Sequence, residues 1–198
     1  MASEAEERMR VKTEAALREA WPSARIVHEL MLTQGGCRID LAAITADRLI
    51  VAEIKSERDV LTRLKRQVEQ AWKVADDVCV VLTEKHWRKA WEERHVSILD
   101  AAKEDEVRLH LQRNQRRAYE GLCNAPARLE MLWASELRRV AGTGPKANRG
   151  YSISLASDNL TGSEVRKRVC AALRARPFPR GDAPVLSDLF PEPGAGSF

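Results

Sequence analysis

The sequence lacks the cysteine and histidine patterns that structural metal sites require. Its four cysteines are scattered over 198 residues without a C-x-x-C pair, at Cys37, Cys79, Cys123 and Cys170. The four histidines stand neither at ligand spacing from these cysteines nor together as a metal box or a catalytic triad. Zinc and iron–sulfur ligation therefore find no support, and we interpret the cysteines as reduced thiols of the core.

The chain also lacks a long apolar run. The first residues, MASEAEERMRVK, are charged and contain no hydrophobic segment, and no later run approaches the roughly 20 apolar residues of a membrane helix. We therefore expect a cytoplasmic protein. Hydrophobic residues make up 44% and charged residues 31% of the sequence, which indicates a globular chain. The stretch GTGPKANRG lacks the G-K-[ST] of a phosphate-binding loop.

Apolar periodicity predicts an α/β core of one helix, three strands, a second helix and a fourth strand. These elements span residues 3–20, 24–32, 37–44, 48–55, 56 to about 75, and 77–83. Ser56 and Asp59 resemble a capping box that opens the second helix. The fourth strand is continuously apolar, which is typical of a strand buried on both faces, and a right-handed crossover before it is the simplest topology.

The second half of the sequence is predicted to be mostly helical. A short helix over 85–94 precedes two strands around the turn AKEDE, and helices follow around 129–140 and after a capping Ser163. The tail after Arg180 is rich in proline and glycine and is expected to be extended or loosely held. We divide the chain into a core, a basic helical region and a tail, at 1–115, 116–180 and 181–198.

Charged residues interrupt the second and third predicted strands. Glu53 and Lys55 are two apart, so they project from the same face of the third strand. If the hairpin turns through residues 46 and 47, opposite partners have numbers that sum to 93. Asp40 then faces Glu53, with Cβ atoms roughly 5 Å apart, and Arg38 faces Lys55.

Two carboxylates at such a distance require a compensating positive charge. Their repulsion is roughly 4 kcal/mol at an effective dielectric constant near 20, and burial increases it. Lys55 and Arg38 supply part of this charge, but Mg²⁺ or Mn²⁺ is the better partner for clustered oxygen ligands. A cation held by Asp40, Glu53 and the Ile54 carbonyl can polarise a phosphodiester and activate water, while Lys55 orients that water.

This pattern predicts metal-dependent phosphodiester hydrolysis, and a simpler interpretation competes with it. Arg38, Asp40, Glu53 and Lys55 can also form a cross-strand ladder of ion pairs on a solvated sheet face, which contributes at most about 1 kcal/mol per pair. Glu53 and Lys55 lie at the C-terminal end of the third strand, which is otherwise apolar. Since α/β sheets tend to place sites at that end, the position favours a functional role.

The same residues resemble a known signature. Asp40 followed by Glu53-Ile54-Lys55 resembles the D…(D/E)-x-K motif of the PD-(D/E)XK nuclease superfamily, and the predicted element order matches its core. The segment CRIDLAAI…LIVAEIKSERDVLTRLKRQVEQAWKVADDVCVVLTEKH is similar to a group of small bacterial and phage-encoded members that carry R-x-D, E-I-K-S, D-x-L-x-R-L and a glutamine. The resemblance covers residues 24–90 well and continues more loosely to the last helix.

The resemblance implies a restriction-endonuclease-like α/β fold, with a mixed sheet flanked by helices. It implies metal ligation by Asp40 and Glu53, catalysis by Lys55, and contact of Gln67 with metal-bound water or phosphate. The superfamily usually supplies one more acid from upstream, and Glu14 and Glu29 compete for that role.

The sequence departs from the superfamily at two places. Ile39 stands where the superfamily's name has proline. Ala71 and Trp72 stand where some members carry a tyrosine, so any contribution from that tyrosine is absent.

The basic residues are unevenly distributed within a net charge of +4. Ten basic residues and two acidic ones lie between residues 138 and 180, which is typical of a phosphate-binding surface, although a solvated helix face is the alternative. The candidate nucleic-acid-binding residues are Arg38, Arg166, Lys167 and Arg174. We therefore expect a Mg²⁺-dependent (or Mn²⁺-dependent) nuclease acting on DNA rather than RNA, alone or with a second subunit or protein partner.

Two other functions remain open at this point. One is a non-catalytic nucleic-acid-binding protein on the same fold. The other is a protein-interaction module with an ion-paired sheet, which would bind neither metal nor DNA.

Overall fold

The computed structural model describes residues 4–32, 36–97, 100–115 and 124–186. Five strands of this part of the chain form one mixed sheet in the order β1-β2-β3-β4-β5. They are β1 (Arg25–Met31), β2 (Arg38–Ile44), β3 (Leu49–Lys55), β4 (Asp77–Leu82) and β5 (Ala101–Lys103). The first three strands are antiparallel, whereas β4 and β5 continue the sheet in parallel with β3. The predicted order of strands and the parallel pairing across the second helix are confirmed.

Helices cover both faces of the sheet. The first four are α1 (Glu4–Ala20), α2 (Leu64–Trp72), α3 (Glu84–Glu92) and α4 (Val107–Gln115), and the last four are α5 (Ala125–Glu130), α6 (Ala134–Ala141), α7 (Arg149–Asn159) and α8 (Gly162–Ala175). Alternate residues of β3 separate the two layers, because Ile50 and Ala52 pack with α1 and α4, whereas Leu49 and Val51 face the other helices. None of the described helices is long and apolar enough to cross a membrane.

The C-terminal helices share the core of the sheet. Leu129, Leu137 and Val169 belong to the same buried cluster as Ile44 and Val51. The described part of region 116–180 is helical, and its helices close one face of the sheet.

Polar links reinforce this attachment. The Asp76 carboxylate lies 2.8 Å from Arg128 Nη2 and accepts a hydrogen bond from the Leu49 N–H. The guanidinium of Arg25 donates to the carbonyls of Leu173, Arg174 and Arg176. These contacts form only when the sheet and the C-terminal helices are folded together, so they stabilise both parts of the chain at once.

The second helix starts later than the sequence predicts. It begins at Leu64, because Ser56 opens a turn in which its own N–H and hydroxyl both donate to the Asp59 carboxylate at 2.7 Å. In a capping box the serine oxygen would instead accept from the helix. The prediction of a helix from residue 56 is therefore wrong.

The second half differs from the prediction at three places. The turn AKEDE contains a short 3₁₀ turn at Glu104–Glu106, and the strand predicted after it is helix α4. Helix α7, capped by Asn148, was not predicted at all. The last helix is capped by Thr161 rather than Ser163, since Thr161 and Glu164 form a capping box.

The thiols and the start of the tail can also be compared with the sequence predictions. Cys37, Cys79 and Cys170 are buried thiols, as expected, while Cys123 lies outside the described residues. The start of the tail is fixed to strand β1 and helix α1. Gly181 forms an isolated antiparallel β-bridge with Val27, and the Asp182 carboxylate accepts hydrogen bonds from Arg18 and from the Ile26 N–H. Residues 187–198 lie outside the described part.

Candidate active site

The hairpin between β2 and β3 has the predicted register. Leu41 pairs with Ala52 and Ile44 with Leu49, so partner numbers sum to 93. At the next position the backbone ladder ends, and the Asp40 carboxylate accepts the Ile54 N–H through Oδ2 at 2.8 Å. A side chain thus replaces a main-chain acceptor where the strands end.

The pairing of β1 with β2 brings a third acid to the same row. Partner numbers on this side sum to 69, which places Glu29 opposite Asp40, and this is the pair that the ladder omits. Glu29 has a φ of 57°. For a non-glycine residue this left-handed conformation costs about 1–2 kcal/mol, and such strain concentrates at functional sites. Glu29, Asp40 and Glu53 therefore occupy neighbouring positions across three strands, and we call these three residues the acidic row.

Glu53 is a buried acid with an unsatisfied oxygen. Its side chain is 3% exposed, and Oε1 accepts from Lys55 Nζ at 2.6 Å and from Gln67 Nε2 at 2.5 Å. Oε2 is buried and has no hydrogen-bond partner within the described part of the chain, and neither has Gln67 Oε1. Burial, followed by the charge of Asp40, raises the pKa of Glu53 to about 7, against the opposing effects of Lys55 and Gln67. The second oxygen is accordingly available for a cationic partner.

Gln67 reaches this acid from helix α2. It is next to Val68 in sequence, and Leu64, Val68 and Ala71 form the buried stripe of the helix. The glutamine at the edge of this stripe is therefore directed toward the sheet, as the helical spacing predicts. The structure brings together Asp40, Glu53, Lys55 and Gln67.

Arg10 was missed by the sequence predictions and lies at the centre of the acidic row. Its side chain is 4% exposed, and Nη2 lies 3.2 Å from Asp40 Oδ1, 3.6 Å from Glu29 Oε1 and 3.3 Å from Glu6 Oε1. Nη1 donates to the Asp40 carbonyl at 3.1 Å. A signal existed, since Arg10 falls on the α1 stripe that includes Thr13. A basic residue on a buried helix face indicates a buried acidic partner.

The two upstream acids named from the sequence have different surroundings. Glu29 lines the cavity of the site. Glu14 instead pairs with Arg18 at 2.8 Å and with His28 at 3.3 Å, away from the cavity lining. Glu6, which the sequence predictions did not consider, also lines the cavity.

Arg38 does not have the neighbour predicted for it. Its Nε lies 2.8 Å from Glu29 Oε2, and its side chain is 64% exposed. The predicted placement of Arg38 across from Lys55 is not observed, because the β2–β3 ladder ends at Leu41 and Ala52. Lys55 pairs with Glu53 along the same strand.

A cavity of about 770 Å³ opens over these residues. This volume lies within the roughly 300–1,000 Å³ typical of ligand sites. Its lining combines the acidic row with basic and amide side chains, namely Glu6, Glu29, Arg38, Asp40, Glu53, Lys55, Asp59, Arg63, Arg66, Gln67 and Gln70. The cavity therefore presents charges of both signs.

A protein-family model described as bacteriophage P4 protein cII matches residues 3–182. The chain belongs to the bacteriophage P4 cII family. The match runs through the sheet, the acidic row and the helices α5–α8, so it covers nearly everything described above. No curated protein and no solved structure matches the chain significantly.

The contacts of the acidic row in this P4 cII family chain determine how well it fits a metal ion. Among the described residues, no group of three or more His, Cys, Asp or Glu side chains is arranged to hold one. The reason is visible in the contacts, since Asp40 and Glu29 face Arg10 and one oxygen of Glu53 faces Lys55. Oε2 of Glu53 is nevertheless a buried carboxylate oxygen without a hydrogen-bond partner among the described residues, and carboxylate oxygen is the kind of ligand that Mg²⁺ prefers.

The C-terminal basic residues are partly used inside the P4 cII fold. Arg166 lies 3.3 Å from Asp76 and is half-buried. The carbonyl of Arg174 accepts from Arg25, and its side chain is also half-buried. Lys167 is exposed, as a phosphate-binding residue would be. The surface predicted from the charge count therefore has fewer available cations than the sequence indicates.

Proposed function

We propose that this P4 cII family chain is a metal-dependent nuclease that hydrolyses phosphodiester bonds, of DNA rather than RNA. The observation that carries the proposal is the acid pair at the end of the hairpin. Asp40 and Glu53 occupy opposed positions, and Glu53 keeps one buried oxygen without a partner while Lys55 and Gln67 hold the other. An acid pair in which one member is buried reduces stability by itself, so a binding role explains its presence.

The fold also supports this proposal. The order α1, β1, β2, β3, α2, β4, with an antiparallel start and a parallel fourth strand, is the order of the PD-(D/E)XK core. The candidate residues lie on β2, on β3 and on the helix after β3, as the superfamily signature requires. We therefore include a restriction-endonuclease-like core in the proposal.

A Mg²⁺ or Mn²⁺ ion would be held by Asp40, Glu53 and the Ile54 carbonyl. Glu29 is the better candidate for the further acid, because it lines the cavity and Glu14 does not. When bound, such an ion supplies charge to polarise the phosphodiester and to lower the pKa of water. The raised pKa of Glu53, caused mainly by burial, is the condition that a cation would reverse.

The chain's own groups have separate tasks in this proposal. The Lys55 ammonium lies 2.6 Å from Glu53, where it can donate to an attacking water or to a phosphate oxygen. The Gln67 amide donates to the same carboxylate and keeps its carbonyl oxygen unpartnered, so it can accept a hydrogen from that water. Arg10 supplies positive charge behind Asp40 and fixes its orientation.

Arg10 also favours a second candidate, a non-catalytic nucleic-acid-binding protein on the same fold. Its guanidinium already neutralises the acids that a metal would need. In that case the acidic row would be a structural ion-pair network, and the chain would bind nucleic acid without cutting it. The two candidates differ in a measurable property, which is metal-dependent cleavage.

The test is cleavage of linear, circular and branched DNA by the purified protein in Mg²⁺, in Mn²⁺ and in EDTA. The proposal requires metal-dependent products that disappear with Lys55→Ala and Asp40→Ala while circular dichroism shows a retained fold. Lys65→Ala is a matched control, because Lys65 is exposed on α2 and does not line the cavity. Binding without cleavage in every metal would favour the second candidate.

A further inference from the structure

The mouth of the cavity carries arginines that have no internal role. Arg63 and Arg66 are exposed, and both line the cavity that contains Asp40 and Glu53. Neither has an ion-pair or hydrogen-bond partner for its side chain within the described residues, in contrast to Arg10 and Arg38. Their charges are therefore available to a ligand.

Their position on the helix is unfavourable without such a ligand. Arg63 is the N-cap residue of α2, no side chain caps this end, and no acidic residue lies in the first turn. The start of a helix carries partial positive charge, so basic residues there are repelled and anions are attracted. A second, independent observation comes from the same cavity. Glu53 Oε2 and Gln67 Oε1 are buried there without a hydrogen-bond partner among the described residues, as expected of polar groups that bind a ligand.

The C-terminal helices offer less free charge than their composition indicates. Besides Arg166, which is paired with Asp76, three arginines are bonded internally. Arg149 donates to the Leu132 carbonyl, Arg168 to the Val140 carbonyl and Arg176 to the Glu136 carboxylate. These contacts assign the arginines to helix packing.

We propose that Arg63 and Arg66 bind the backbone phosphates of the nucleic acid and guide it to the acidic row. The inference rests on the proposed function for the class of ligand, but it concerns binding rather than cleavage. It places the main polymer contact at the start of α2 instead of on α8. Each contact should contribute to affinity in a way that does not depend on base sequence.

The experiment measures binding in EDTA, where cleavage cannot interfere. Fluorescence anisotropy with labelled DNA and RNA duplexes of one sequence gives Kd over a series of salt concentrations. For the Arg63→Ala/Arg66→Ala double variant we expect affinity to fall about tenfold, and the slope of log K against log salt to become shallower by about 2. Lys65→Ala, on the same helical turn but outside the cavity, is the matched control and should change both quantities much less. Lys167→Ala measures the competing contact on α8, and the inference requires its effect to be smaller than that of the double variant.

The outcomes separate this inference from the nuclease proposal. Loss of binding in the double variant, with wild-type protein that never cleaves, would support the surface and reject the nuclease. A double variant that binds normally and cleaves DNA would reject the proposed binding surface and support the nuclease. Equal losses in the Lys65 or Lys167 variants, or no binding by the wild-type protein, would overturn the inference. A larger effect on either duplex would identify which polymer is bound, and thermal melts of all variants check the fold.

Discussion

Arg10 and Asp40 are joined twice, through the carboxylate at 3.2 Å and through the main-chain carbonyl at 3.1 Å. This double contact attaches α1 to the end of β2. It also means that the acidic row contains a permanent internal cation. The electrostatic state of the site therefore depends on a residue that is far from the signature in sequence.

Replacement of Arg10 should be strongly destabilising. Arg10→Met keeps much of the apolar stem but removes the cation that faces Asp40, Glu6 and Glu29, of which Glu29 keeps its pair with Arg38, and we expect a loss of about 3–5 kcal/mol. Urea denaturation at neutral pH measures this value. Arg8→Met is the control on the same helix, because its side chain is mostly exposed and pairs with Glu104.

Magnesium should partly restore the Arg10→Met variant if the acids bind metal. We expect the urea midpoint of this variant to rise with added Mg²⁺ more than that of the wild-type protein, since a cation then replaces the lost guanidinium. An equal response of both proteins would contradict metal binding at the acidic row, whatever the cleavage assays show.

Replacement of Glu53 by glutamine should stabilise the metal-free protein at alkaline pH. The folded protein raises the pKa of Glu53 to about 7, so it holds this proton at pH values where the unfolded chain has lost it. The free energy of unfolding of the wild-type protein then falls as pH rises from about 4.5 to 7. Glu53→Gln lacks this loss, and near pH 8 the difference should reach about 3 kcal/mol in favour of the variant.

The measurement is urea denaturation of both proteins in EDTA from pH 5 to pH 8. Parallel curves would show that Glu53 has an ordinary pKa. In Mg²⁺ the order should change, because the wild-type protein gains stability from the ion and the glutamine variant has lost the ligand. Glu57→Gln provides a control, since Glu57 lies in the following turn, is exposed and does not line the cavity.

The hairpin of the site could be predicted because its information is local. A two-residue turn and the alternation of side chains fix the register, so the opposed positions of Asp40 and Glu53 follow from counting. Gln67 could be placed for a similar reason, since helical spacing relates it to the buried stripe of α2. The contacts of Arg10 could not be predicted, because they depend on how α1 packs across the sheet.

Helix α4 shows a different kind of failure. Val107, Leu109 and Leu111 alternate with polar residues, and this pattern predicts a strand. The structure buries Val107 and Leu111 against the α1 layer and leaves Leu109 54% exposed. Residues four apart share a helix face, so two of the three apolar residues were enough to support a helix. A short apolar pattern that fits both the two-residue period of a strand and the four-residue spacing of a helix does not distinguish the two. The element that packs against it decides which one forms.

The strained backbone at Glu29 can be separated from its charge by two substitutions. Both Glu29→Gly and Glu29→Ala remove the carboxylate, but only glycine adopts a φ of 57° without steric cost. We expect the glycine variant to be more stable than the alanine variant by about 1 kcal/mol in urea denaturation. Equal stabilities would show that this conformation relaxes readily. A loss of Mg²⁺ response in both variants, relative to wild type, would add Glu29 to the metal ligands.

The C-terminal arginines that contact Asp76 should contribute to stability more than to binding. Arg128 is almost fully buried in this pair, whereas a third of the Arg166 side chain is exposed. We therefore expect Arg128→Ala to cost about 3–5 kcal/mol and Arg166→Ala roughly 1 kcal/mol. Urea denaturation gives both values, and DNA affinity of the folded Arg166 variant should stay close to that of the wild-type protein. A large loss of affinity with unchanged stability would return Arg166 to the nucleic-acid-binding surface.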